Sequence, residues 1–179
     1  MTCHEFAHQI ATTAPGYSDL LALGLKDASA ARMIAEYQVH PRAAELQVQF
    51  PINDEINYLI NTYDVSNLKI GMVEFMDVPV NHGNFLHFAI VELDLMLLSI
   101  TGEVLVVDWQ QFDHIMWRCA VDGEHFFEAM VIISQFLTLT MLDDANYNNE
   151  KLALSVADSA AKAAGSAAYL SFYQMLLGV

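Results

Sequence analysis

The chain has 179 residues, 55% apolar and 16% charged. That balance excludes disorder and suits one domain able to bury a core without disulfides. Its 22 acids against 7 Lys and Arg give a formal net charge of −15, which repels nucleic acid and favours solubility and fast encounter with basic partners. The acids are dispersed and form no acidic tail. The residues predict a single α+β domain over 1–179: a helical segment (1–44), an α+β core (45–142) and a C-terminal helix (143–179).

Thr12, Thr13, Pro15, Gly16 and Ser18 mark an early loop. A helix follows over about Lys26–Gln38, with Asp27 or Ser29 as its cap and Pro41 as its stop. A second helix is expected over Pro51–Tyr63. Asn53 or Asp54 caps it, and Ile56, Leu59, Ile60 and Tyr63 line one face.

The middle of the chain reads as strands: Leu68–Met76, Phe85–Val91, Leu93–Ile100, Val104–Trp109 and His114–Val121. In the last, Ile115, Trp117, Cys119 and Val121 share one face by strict alternation. Turns fall at Asn81–Asn84 and Ile100–Glu103, each with a glycine. Tight turns between short strands predict an antiparallel, curved sheet of about five strands, with helices packed on one side. Asp122 then caps a helix to Leu142 with a wide apolar stripe. A polar break precedes one last alanine-rich helix, Glu150–Leu177, weakened at Gly165.

Cys3 and Cys119 suggest two reduced thiols in a cytoplasmic protein. The opening Met-Thr-Cys-His-Glu has neither the basic nor the apolar region of a signal peptide. No membrane span is expected: Glu92, Asp94 and Glu103 interrupt Phe85–Trp109, and Val131–Leu142 is too short.

One motif carries possible chemistry. His4-Glu5-Phe6-Ala7-His8 matches the zincin spacing, which puts two imidazoles on one helix face with a glutamate as general base. It needs a third ligand, for which Glu36 is the obvious candidate. The bland alternative is a terminal helix with solvent-facing histidines. His82 and His87 with Asp77 match no standard metal framework. Asp108, Asp113 and Asp122 have ordinary loop and cap roles. No phosphate loop, nucleophile elbow or CxxC pair is present.

The order of elements resembles the SUKH superfamily. The likeness covers about residues 45–140. It rests on the helix Pro51–Tyr63, the turn Thr101-Gly102-Glu103-Val104, and the strand-to-helix run Ala120-Val121-Asp122-Gly123-Glu124-His125-Phe126-Phe127-Glu128-Ala129. Asp64-Val65-Ser66-Asn67 stands where the family often has a glycine-rich turn, and the last helix lies outside the pattern. Many members are bacterial immunity proteins, so the resemblance implies a non-catalytic protein that neutralises a cognate toxin by direct contact. The charge suits a basic, nuclease-type target. Asp77, Glu92, Asp94 and Asp113 are the expected partner-binding residues. No catalytic residue, metal, cofactor, nucleic acid or membrane is expected. A homodimer stays open. The alternatives are an adaptor or scaffold, self-associating through the alanine-rich helix, and a zinc metallohydrolase built on His4, Glu5 and His8.

Overall fold

The computed structural model describes residues 1–179, Asp144 by its backbone alone. Two helices open the chain, α1 (Cys3–Thr12) and α2 (Tyr17–Ala22). The oxygens of Thr2 and Glu5 close a capping box that starts α1. α3 (Asp27–Ala35) begins after Lys26, whose side chain makes no capping bond, so neither Asp27 nor Ser29 is the cap. Asp27 instead accepts from the Tyr17 hydroxyl at 2.9 Å. A two-stranded ladder absent from the sequence reading, β1 (His40–Pro41) with β2 (Tyr63–Asp64), brackets α4 (Glu55–Thr62). Asp54 caps α4, which therefore starts four residues after Pro51.

Six antiparallel strands form the main sheet, in chain order: β3 (Lys69–Ile70), β4 (Val73–Asn81), β5 (Phe85–Val91), β6 (Asp94–Ser99), β7 (Val104–Val107) and β8 (Ile115–Ala120). The expected strand Leu68–Met76 is two strands, because Gly71 takes φ 60° and reverses the chain. Beyond them, α5 (Gly123–Leu142) lies in the core and a short α6 (Asp144–Tyr147) interrupts the polar break. The expected last helix is divided. α7 (Glu150–Ala163) ends before Gly165, whose φ is 105°, and a 3-10 turn (Ala167–Tyr169) leads into α8 (Leu170–Leu177).

α5 is long and apolar enough to cross a membrane by length and composition. Starting at Gly123, it is longer than the Val131–Leu142 run on which the sequence reading relied. In the fold it is the central core helix, burying Phe126, Phe127, Met130 and Ile133. Phe127 stacks on Phe6 of α1, ring centroids 4.2 Å apart, and Phe126 meets Phe88 of β5 edge-on. Ala157, Ala160 and Ala161 of α7 are buried in the same cluster, where small residues let α7 lie close to α5. The terminal helices thus share one core with the sheet.

The sheet's helix-covered face supplies Val73, Phe75, Leu86, Phe88, Met96, Leu98, Val104 and Val106 to that core. Among the described residues no helix packs on the opposite face, yet His87, Leu97, Leu105 and Val107 are buried there, outside the main cluster. The segment 108–114, between β7 and β8, sets Phe112 and Asp113 beside Leu105 and Val107.

Candidate partner-binding surface

The alternation expected along His114–Val121 is broken by two bulges, one at Cys119 and one at its start, and the second builds the surface. Val106 pairs with Trp117, but Val107 pairs with Ile115, so β8 holds one extra residue there. Such a bulge slips the side-chain period by one. Trp117 turns toward the core while Ile115 turns to the helix-free face, 41% exposed. The segment 108–114 then folds back across that face. Phe112 packs on Phe85 of β5 and on His82 of the β4–β5 turn, ring centroids 6.0 Å and 5.1 Å away. Phe85, Leu105, Val107, Phe112, Asp113 and Ile115 enclose an open groove of about 480 Å³.

The β5–β6 turn lies beside this segment. Asp94 accepts a long hydrogen bond, 3.4 Å, from the Trp109 backbone N–H. Asp108 accepts from the backbone N–H groups of Gln110 and Gln111, which shapes the loop start. At the turn, Glu92 is held at φ 56°, a region costly for a residue with a Cβ. Leu93 is 75% exposed and Trp109 55% exposed. Leu93 is thus a turn residue, not the first residue of a strand. Exposed apolar side chains therefore alternate with carboxylates along two adjoining loops.

The four expected partner-binding acids do not all meet there. Glu92, Asp94 and Asp113 belong to these loops or the groove they border. Asp77, on β4, is tied to Arg42 Nη2 at 2.9 Å through its carboxylate, and its backbone carbonyl accepts from the same group at 2.8 Å. Its charge is already matched within the chain. Trp109, Leu93 and Phe112 were missed as interface candidates. Their signal was the aromatic-rich, acid-flanked run Asp108–Asp113, but the sequence reading puts Asp108 and Trp109 at the end of the strand Val104–Trp109, which stops at Val107.

The histidine motif has other duties. Glu5 closes the α1 cap, His4 Nδ1 lies 2.7 Å from the Tyr63 hydroxyl, and His8 is exposed. Glu36 ends α3 beside Arg32 and Lys69. Among the described residues, no three His, Cys, Asp or Glu side chains gather into a metal-binding group. His82 and His87 are neighbours, ring centroids 6.2 Å apart. His87 is 8% exposed and its Nε2 is buried with no hydrogen-bond partner among the described residues. Burial, with His82 nearby, pushes its pKa below the ordinary value, so the neutral ring is favoured.

No family model, curated protein or solved structure matches the chain.

Proposed function

We propose that this chain is a non-catalytic binding protein that neutralises a basic protein partner, of the nuclease-toxin kind, by direct contact through the helix-free face of its sheet. One observation carries this reading. Trp109 and Leu93 stand exposed on adjoining loops among Glu92, Asp94 and Asp108, on a chain of net charge −15. A large aromatic within a charged surround is the usual anatomy of an interface hot spot. The surrounding carboxylates steer a cationic partner and oppose substrate phosphates at its cleft.

The scaffold alternative relied on self-association through the alanine-rich helix. In α7 those alanines face the molecule's own core. The immunity reading also draws on the SUKH-like order of elements in residues 45–140.

The test is affinity capture from the native host at low and high salt, with the wild type and with Trp109→Ala. A single basic protein should be retained at low salt, released progressively as salt rises, and lost with Trp109→Ala. Capture that ignores both salt and the substitution would refute the reading.

A further inference from the structure

We propose that the groove bounded by Phe85, Leu105, Val107, Phe112, Asp113 and Ile115 receives an arginine side chain of the basic partner. This rests on the reading given under Proposed function and names its anchoring contact.

The groove is apolar except for one group. Five of its six bordering residues are hydrocarbon or aromatic, and the sixth, Asp113, is a carboxylate. Asp113 makes no ion pair and no side-chain hydrogen bond among the described residues, unlike Asp77 and Glu103, which are held by Arg42 and Arg118. An apolar trough with one uncommitted anion suits a long amphipathic cation, whose methylenes lie on the floor while the charge stays at the wet rim. Phe85 and Phe112 meet edge to face at an interplanar angle of 71°, so their two ring planes differ in direction. Guanidinium stacks on such rings and pairs with carboxylates through two parallel N–H groups, which an ammonium cannot do. The volume of about 480 Å³ is in the range of sites that admit small ligands. Because the −15 charge selects for cationic partners, the groove's chemistry and the chain's long-range field point to the same side-chain class.

The experiment uses methyl-resolved NMR of the full chain with four defined tripeptides: acetyl-Gly-Arg-Gly-amide and its lysine, citrulline and norleucine counterparts. Asp113→Asn and Asp77→Asn are the two variants. Asp113 is exposed and its side chain makes no bond to the described residues, so its substitution should leave the fold intact. The arginine peptide should shift the methyls of Leu105, Val107 and Ile115 saturably, with millimolar affinity. It should bind roughly tenfold tighter than the citrulline peptide, which keeps the shape and lacks the charge. Asp113→Asn should abolish that difference and Asp77→Asn should preserve it. Equal binding of norleucine or citrulline, lysine as tight as arginine, or an effect spread over the whole acidic surface would each overturn the assignment. If salt-sensitive capture of a partner survives such a result, only the groove's occupant is wrong. If capture itself fails, the binding reading goes with it.

Discussion

One carboxylate, Asp54, holds the starts of two helices, α4 directly after it and α5 69 residues further on: Oδ1 accepts from the Ile56 backbone N–H of α4 at 2.8 Å, and Oδ2 accepts from the Gly123 N–H of α5 at 3.0 Å. Gly123 is required by that approach, since a Cβ there would lie 2.3 Å from Asp54 Oδ1. Burial pushes the Asp54 carboxyl above its ordinary value, and the two N–H bonds offset this only in part. Its titration therefore favours folding at pH below the unfolded value, and that contribution is lost as pH rises through the folded value. The geometric tie remains large. Asp54→Ala should lower unfolding stability by about 2–4 kcal/mol in urea titrations, through two orphaned N–H groups. Gly123→Ala should cost about 1–3 kcal/mol by overpacking alone. Wild-type midpoints for both would show that the shared cap is unimportant.

His87 imposes a pH dependence of the opposite kind. Its folded pKa is depressed, so below about 6.5 the unfolded state binds the proton that the folded state resists, and stability falls as pH falls. His87→Leu removes both that proton and the orphaned Nε2. The variant should be about 1 kcal/mol more stable than wild type at pH 7.5, with the gap widening at pH 5.5. Paired urea curves at the two pH values measure this. A gap that closes on acidification contradicts it.

The thiols should be inert in the folded state. Burial, reinforced by Glu55, pushes Cys3 up to about 11, and burial raises Cys119 far above its ordinary value. A disulfide-exchange reagent at pH 8 should label Cys3 more than roughly a hundredfold slower than a free thiol, from its lowered thiolate fraction. Full labelling should appear only with denaturant. Rapid native labelling of either cysteine would show that α1 or β8 opens readily.

Glu92 trades stability for presentation. Glycine relieves a positive φ, so Glu92→Gly should stabilise the fold by up to about 1 kcal/mol. It should also weaken capture of a basic partner, by removing a carboxylate next to Leu93. Trp109→Ala should weaken binding by about 2 kcal/mol or more without changing the urea midpoint beyond about 0.5 kcal/mol. Asp77→Ala should leave binding unchanged, because Arg42 already occupies that carboxylate. Affinity measured beside stability for these three variants separates surface roles from folding roles.

Local chemistry explains which elements were readable. Asp122 before a wide apolar stripe marked α5 to the residue, and glycines marked the turns at Gly83 and Gly102, both at positive φ. Gly71 and Gly165 carried the same signal inside apolar runs. There periodicity outweighed it, so a hairpin was read as one strand and two helices as one. At Gly165 the surroundings leave no choice: a Cβ would lie 2.7 Å from Val121 Cγ1. The interface candidates divided along the same line. Glu92, Asp94 and Asp113 were visible as charges, but whether a charge is free depends on neighbours distant in the chain, as Arg42 shows for Asp77.

The residues alone determined the fold class, the charge and the boundaries of β5 and α5, because caps, turn glycines and hydrophobic periods act over a few positions. Only the folded chain decided which side of the sheet stays without helices, that the bulge between Trp117 and Ile115 in β8 turns Ile115 outward, and that Asp54 reaches Gly123. Each depends on register or on contacts between distant segments, and such pairings are settled when the whole core closes rather than by any local run of side chains.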